Sequence, residues 1–331
     1  MTHKYRKQFE ISVGEIEKAA RKLLNGSLVA FPTETVYGLG ANATDEFSVS
    51  RIYQVKGRPP DHPLIIHIAD LKFLEQWISE IPEFAMALAS EFWPGPMTLI
   101  LTRSDLAKNF VTGGQNTVGI RIPNNAIALD LLNVFHSLGG AGVAAPSANR
   151  FGHVSPTDAS AVREELGKFL AETDLILDGG QSHVGLESTI IDCTGKMPRI
   201  LRPGAITSDM ISGITGPRFS MFLDQHSVEF NDDTIRVSGS LENHYAPKAT
   251  VVLDGTPVIG AGFIALEEIK TPLGAFRLSS PKNVQEFAQV LYAALREGDN
   301  QNLEYIYVAQ PLGGGLAVAI RDRLSRAARN K

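Results

Sequence analysis

The order of its apolar segments most constrains what this chain can fold into. Short runs suited to buried strands alternate with helical stretches as far as about Ile211, lapse, and resume at Thr250. The first helix is opened by the capping box Ser12-Val13-Gly14-Glu15. Val13, Ile16, Ala20, Leu23 and Leu24 lie on its apolar face, and Asn25-Gly26 stops it. Strands are expected at 28–32, 64–68, 97–101, 118–122, 142–145, 175–177, 189–192 and 199–201, and helices at 47–55, 82–93, 126–138 and 158–166. Several strands follow one another with no helix between them. That predicts an α/β fold with a twisted mixed sheet rather than a purely doubly wound one.

Residues 212–248 show no periodicity and hold Gly213, Gly216, Pro217, Gly239 and Pro247, which reads as a linker. Strands at 250–253, 262–266 and 305–308 and a helix at 284–296 then precede a last helix. That helix has Leu316, Ile320, Leu324 and Ala327 on one face and Arg321, Arg323 and Arg326 alongside. The expected organisation is a first α/β domain over 13–207, a linker or lid over 208–248 and a small Rossmann-like α/β domain over 249–331.

A length of 331 residues accommodates two domains, and 44% hydrophobic with 20% charged residues is ordinary for globular protein. The net charge of −5 argues against gripping RNA backbone by charge alone, so any nucleic-acid contact is local or delegated. The single cysteine, Cys193, excludes a disulfide framework and a cysteine-rich zinc site, and reads as a small buried thiol. There is no apolar signal core at the N-terminus and no run long enough to span a membrane. A cytoplasmic protein with no membrane partner is expected.

The residues best suited to chemistry lie in two short segments. Lys56-Gly57-Arg58-Pro59 offers a compact cation and a planar fork, and Pro146-Ser147-Ala148-Asn149 a hydroxyl and a carboxamide. Together they can grip a polyanion such as a nucleoside triphosphate. The loop over 31–40, rich in hydroxyls and glycines, is either a plain hairpin-like turn or a ligand loop at a strand end. His62 and His67 lack further ligands at fixed spacing, so a metal cage is not expected. His67, within an apolar strand, is either a satisfied core histidine or a substrate contact. Arg121, on another apolar strand, needs an anionic partner, from within the chain or from a ligand, the ligand being preferred. Glu187 is either a salt-bridge partner of Arg121 or Arg202 or a ligand contact, and Ser188 and Arg202 sit at strand ends. There is no GxxxxGK[ST] loop and no GxGxxG fingerprint. Gly313-Gly314-Gly315 reads as a flexible entry to the last helix, with an anion site as the alternative.

Taken in order, PTETVYGLG, KGRP with PL and His67, WPGPMTLIL, VGIRIP, APSAN, SPT, ESTIID and ILRPG resemble the threonylcarbamoyl-AMP synthase family with its YrdC-like domain. The resemblance covers about 13–207. The remainder resembles the long form of that family: Ser238-Gly239-Ser240 through His244-Tyr245-Ala246-Pro247 is similar to its linker motif. Gly315-Leu316-Ala317 through Asp322-Arg323-Leu324 is similar to its C-terminal signature. The resemblance implies joining of L-threonine, bicarbonate or CO2 and ATP into threonylcarbamoyl-AMP and pyrophosphate. The product would pass to threonylcarbamoyl-transferase proteins acting on tRNA, with Mg2+ accompanying ATP. It implies Lys56, Arg58, Ser147 and Asn149 as the catalytic tetrad, and Thr35, His67, Arg121, Ala145 and Ser188 as the threonine site. Arg58, His62, Thr117, Ser147, Ser155, Arg202, His244 and Tyr245 would hold ATP. The chain departs from the pattern at His62, where asparagine is common, at Phe151, and at Leu241 in place of methionine. The competing expectation is an RNA-binding module without catalysis. A third, carbamoyl transfer in metallocentre maturation, requires zinc-finger cysteines that this chain lacks.

Overall fold

The computed structural model describes residues 11–216, 235–237 and 245–329. Helix α1 (Val13–Leu24) opens on the expected capping box, with Ser12 and Glu15 each accepting from the other's backbone. It buries Ile16, Ala19, Ala20 and Leu23, of which Ile16 and Leu23 each contribute roughly 1.5–3 kcal/mol where they leave water completely. The first strands are β1 (Val29–Phe31), β2 (Gly38–Asn42), β3 (Ile65–His67), β4 (Met97–Thr102) and β5 (Thr117–Arg121). They are followed by β6 (Val143–Ala144), β7 (Leu175–Ile176), β8 (Thr189–Asp192) and β9 (Arg199–Arg202). Between them lie α2 (Glu46–Lys56), a 3-10 turn (Leu71–Gln76), α3 (Glu83–Phe92), α4 (Asn109–Thr112), α5 (Ala126–Ser137) and α6 (Ala159–Leu166).

These strands form one nine-stranded sheet in the order β7-β1-β2-β6-β3-β5-β4-β8-β9. Parallel pairs (β1 with β7, β3 with β5, β4 with β8) mix with antiparallel ones, as the strand spacing predicts. Apolar clusters line the sheet. One gathers Leu39, Ile66, Leu99 and Ile120 with α2 and α3; another gathers Phe31, Val143 and Phe135 with α1 and α5.

The later elements are α7 (Ser208–Thr215), β10 (Thr250–Leu253), β11 (Gly262–Ile264), β12 (Phe276–Ser279), α8 (Val284–Asn300), β13 (Tyr305–Val308) and α9 (Leu316–Ala328). They build a four-stranded sheet, β10-β13-β11-β12, in which every pair is parallel. Two elements here were not expected. Helix α7, capped by Thr207, lies in the stretch read as linker, because Ile211 is its one buried residue and no apolar stripe marks it. Strand β12 is an edge strand whose residues are half-buried to exposed, so it lacks a buried alternation.

The core of this second sheet is not closed on itself. Val36, Val154 and Leu186, from the first part of the chain, pack in one cluster with Phe287, Leu291, Ile320 and Leu324. Gly185 enters at φ +78°, and a Cβ there would stand 2.4 Å from the Ala288 carbonyl oxygen, so α8 lies directly on this loop. Among the described residues, no helix is long and apolar enough to cross a membrane.

Candidate active site

The site begins with backbone register. β3 and β5 run parallel with His67 beside Arg121, and β6 lies antiparallel with Val143 beside His67. Both polar side chains therefore issue from neighbouring strands at one level of the sheet. The loop over 31–40 and the segment over 145–149 then zip together. Leu39 N–H donates to the Pro146 carbonyl at 2.8 Å and Ala148 N–H to the Tyr37 carbonyl at 2.8 Å. The ends of the loop form the antiparallel β1–β2 pair, as the hairpin-like reading expects, and its middle faces a cleft.

That cleft holds about 520 Å3 of space, part of it continuous with solvent, and is lined by Thr35, Arg58, His67, Arg121, Ala145, Ser147, Ser188, Arg202 and Tyr245 among the expected residues. Thr33, Val36, Tyr37 and Glu187 also line it.

Each charged group has a definite setting. Arg121 Nη2 lies 2.8 Å from Glu34 Oε1, with both side chains buried. Arg121 therefore has an internal anionic partner, and it is Glu34, not Glu187. Glu187 is ion-paired elsewhere: Arg323 Nε lies 2.8 Å from its Oε2, Tyr292 donates to the same oxygen at 2.9 Å, and Ser155 donates to Oε1 at 2.6 Å. Burial alone would raise the Glu187 carboxyl, but the charges of Arg323 and Arg202 and its hydrogen bonds outweigh that and hold it at about 2. Arg202 donates to the Ser188 carbonyl at 3.1 Å and to its hydroxyl at 3.2 Å, and that hydroxyl lies 2.8 Å from the hydroxyl of Thr98. His67 is buried, and its Nδ1 finds no hydrogen-bond partner among the described residues. Burial, with Arg121 adding to it, drives its imidazole down to about 3, so it is neutral near pH 7.

Other expected residues stand away from the wall. Lys56 is only 2% exposed. Its ammonium donates to the carbonyls of Ser147 at 2.6 Å and Asn149 at 2.5 Å. Burial first and Arg58 second push its pKa well below the usual lysine range. Gly57, at φ +63°, ends α2 and turns the chain so that Lys56 points behind the 147–149 segment while Arg58 faces the cleft. Asn149 is fully buried and donates to the carbonyls of Arg150 at 2.7 Å and His153 at 2.8 Å. Thr117 lines a neighbouring crevice with Arg236 and Val237. There, Arg236 N–H donates to Gln115 Oε1 at 2.7 Å, which fastens a piece of the linker to the first sheet. His62 and Phe151 pack edge to face at 5.4 Å between ring centroids, and the Arg58 guanidinium lies 5.9 Å from the Phe151 centroid. Two of the departures from the family pattern are thus neighbours. Burial and the nearby Arg58 also lower the His62 pKa. His244 and Leu241 lie outside the described residues.

Spacing missed Glu34, Tyr292 and Arg323, because each pairs with a residue remote in sequence. One signal existed for Arg323, which shares the apolar face of the last helix with Ile320 and Leu324 and so had to bring a partner into the core.

A family model described as "Telomere recombination" and carrying the names Sua5, YciO and YrdC matches residues 21–204. A second, described as "Threonylcarbamoyl-AMP synthase, C-terminal domain", matches residues 206–329. The threonylcarbamoyl-AMP synthase of Pyrococcus abyssi is 40% identical, over 95% of this chain and 94% of its own length. That of Bacillus subtilis is 37% identical over 95% and 93%. The crystal structure of P. abyssi Sua5 complexed with L-threonine superposes with a TM-score of 0.84 at 38% identity, covering 97% of this chain and 96% of that one.

Proposed function

The chain belongs to the threonylcarbamoyl-AMP synthase family, and from that premise we propose that it condenses L-threonine, bicarbonate or CO2 and ATP into threonylcarbamoyl-AMP and pyrophosphate. One observation carries the reading: a single cleft faces the guanidiniums of Arg58, Arg121 and Arg202 and the hydroxyl residues Thr35, Ser147 and Ser188 toward the same space. Among the described residues no unpaired carboxylate lines it, since Glu34 and Glu187 are committed to Arg121 and Arg323.

In this reading threonine lies against Thr35, His67, Arg121, Ala145 and Ser188, its carboxylate on the face of Arg121 turned away from Glu34. The relative crystallised with L-threonine supports threonine as the amino acid of this reading. ATP takes Arg58, Ser147, Arg202 and Tyr245, with His62, Thr117, Ser155 and His244 as outer members of its site. The threonine amine adds to CO2 and loses a proton to water, giving a carbamate. A carbamate oxygen then attacks the α-phosphorus as the bond to the pyrophosphate oxygen breaks. The nucleophile is already anionic, so no base poised near neutrality is needed, and His67, held at about 3, would be a poor one. The nucleotidyl transfer rests on positioning and on cations facing the departing charge. Lys56 serves this by fixing the carbonyls of Ser147 and Asn149 rather than by touching phosphate.

Mg2+ enters in this reading as part of the substrate MgATP. Among the described residues no group of three or more His, Cys, Asp or Glu is placed to hold a metal, and the two carboxylates beside the cleft are ion-paired. The adenylate would pass to a transferase acting on tRNA. The rival reading, an RNA-binding module without catalysis, has no observation in its favour.

The test is pyrophosphate release from ATP, with threonine and bicarbonate omitted in turn. Release should require both. Release that ignores threonine, or none with all substrates present, refutes the reading.

A further inference from the structure

We propose that Arg323 and Tyr292, contributed by the C-terminal part of the chain, are positioning residues for the nucleotide: they hold the Glu187 carboxylate in a pair with Arg323 rather than with Arg202. This rests on the synthase reading above and goes beyond it, since neither residue lines the cleft.

Glu187 lines the cleft and is acted on by the charges of two guanidiniums. One is that of Arg202, which faces the cleft and braces Ser188 through its backbone and hydroxyl. The other is that of Arg323, whose side chain is fully buried and whose Nε lies 2.8 Å from Glu187 Oε2. Tyr292 donates to the same oxygen at 2.9 Å, so two donors from α8 and α9 hold it from behind. The opposite oxygen accepts from Ser155 at 2.6 Å.

The grip is anchored at several points. Arg323 Nη2 also donates to the Pro203 carbonyl at 3.0 Å, which ties it to the residue after Arg202. The Arg323 guanidinium lies 5.2 Å from the ring centroid of Tyr245, which lines the cleft and stacks on Tyr292 at 5.9 Å. Gln289 donates to the His183 carbonyl at 2.6 Å, and Gly185 lets α8 approach the loop that carries Glu187.

A buried carboxylate deprived of its cation turns to the nearest other one. Without Arg323, that is Arg202. Glu187 would then neutralise the guanidinium meant for phosphate oxygens and pull Ser155 with it. A buried ion pair that merely docked two sheets would have no such directional effect on nucleotide affinity.

The experiment measures KM for ATP and KM for threonine in pyrophosphate release, nucleotide affinity by calorimetry, and melting temperature. It compares wild type with Arg323→Met, Arg323→Lys, Tyr292→Phe and the double variant Arg323→Met/Glu187→Gln. Arg323→Met should raise KM for ATP at least tenfold, and Arg323→Lys should recover part of it. The double variant should return to within about threefold of wild type, because Gln carries no charge yet still accepts from Ser155. Should Arg323→Met fail to fold, Tyr292→Phe, which keeps the Arg323 pair, must still raise KM for ATP about threefold in the folded protein. Equal KM values in Tyr292→Phe and wild type, or a double variant no better than Arg323→Met, overturn the proposal. An inactive wild type refutes the synthase reading instead.

Discussion

The ammonium of Lys56 lies 2.6 Å from the carbonyl oxygen of Ser147, behind a residue that lines the cleft. Lys56→Met would leave the carbonyls of Ser147 and Asn149 buried without a donor, at a cost of about 1–3 kcal/mol each. The melting temperature should fall by several degrees, and turnover should fall with it as the 147–149 segment relaxes. Thermal denaturation followed by circular dichroism decides the point. An unchanged melting curve combined with weaker ATP binding would mean that Lys56 reaches the phosphates after all.

Arg58 differs, because its guanidinium faces the cleft while one nitrogen donates to the Pro63 carbonyl at 3.0 Å. Arg58→Ala should slow threonine-dependent pyrophosphate release at least tenfold, about 1.4 kcal/mol of barrier. Wild-type rates in that variant would remove Arg58 from the mechanism.

Glu34 holds Arg121 from within. Glu34→Gln removes the charge that balances and orients it, and losing one member of a buried pair costs roughly 3–5 kcal/mol. The expected result is lower stability together with weaker threonine binding, read by urea denaturation and calorimetry. Tighter threonine binding would instead identify Glu34 as a competitor for Arg121.

Acid stability should bear the mark of two groups. The His67 imidazole is held at about 3 in the folded protein, whereas the unfolded chain takes up that proton near pH 6.5. Between those values the unfolded state binds more protons, so stability falls as the pH drops below about 6.5. Glu187, held at about 2, contributes stability that is complete above its unfolded value of about 4.3 and is lost as the pH falls toward 2. Urea midpoints should therefore decline from near pH 6.5 downward, and Glu187→Gln should flatten only the part below about 4.5. A midpoint level from pH 7 to 4.5 would contradict the buried, neutral state of His67.

Gly185→Ala should loosen the contact between the 183–188 loop and α8, because the added Cβ would meet the Ala288 carbonyl oxygen at 2.4 Å and the residue adopts φ +78°. Faster hydrogen exchange in α8 is expected, with the strands of the first sheet unaffected.

Periodicity located most of the strands and helices because their burial is local. The stretch over 250–253 reads as a strand and is one, and the capping box at Ser12 starts a helix where it should. Strand β2 escaped notice because Gly38-Leu39-Gly40-Ala41-Asn42 lacks β-branched residues. Its glycines answer a steric need, since a Cβ on Gly40 would stand 2.9 Å from both Phe31 and Val143. Arg121 could be seen to require an anion, but the identity of that anion could not. Glu34 reaches it through the folding of the 31–40 loop onto another strand, and no spacing encodes that. The pairing of Glu187 with Arg323 was hidden for the same reason, across a far longer separation.

The cluster shared by Val36, Val154 and Leu186 with Phe287, Leu291, Ile320 and Leu324 has a consequence in time. Synthesis delivers the cleft's own strands first, and domains generally fold as they emerge. Until α8 and α9 have left the ribosome, that apolar face stays wet and Glu187 has no partner in Arg323. A nascent chain can therefore carry a formed first sheet while the Glu187 side of its cleft is still unset, and on the proposed reading competence to bind ATP would arrive with the last helix.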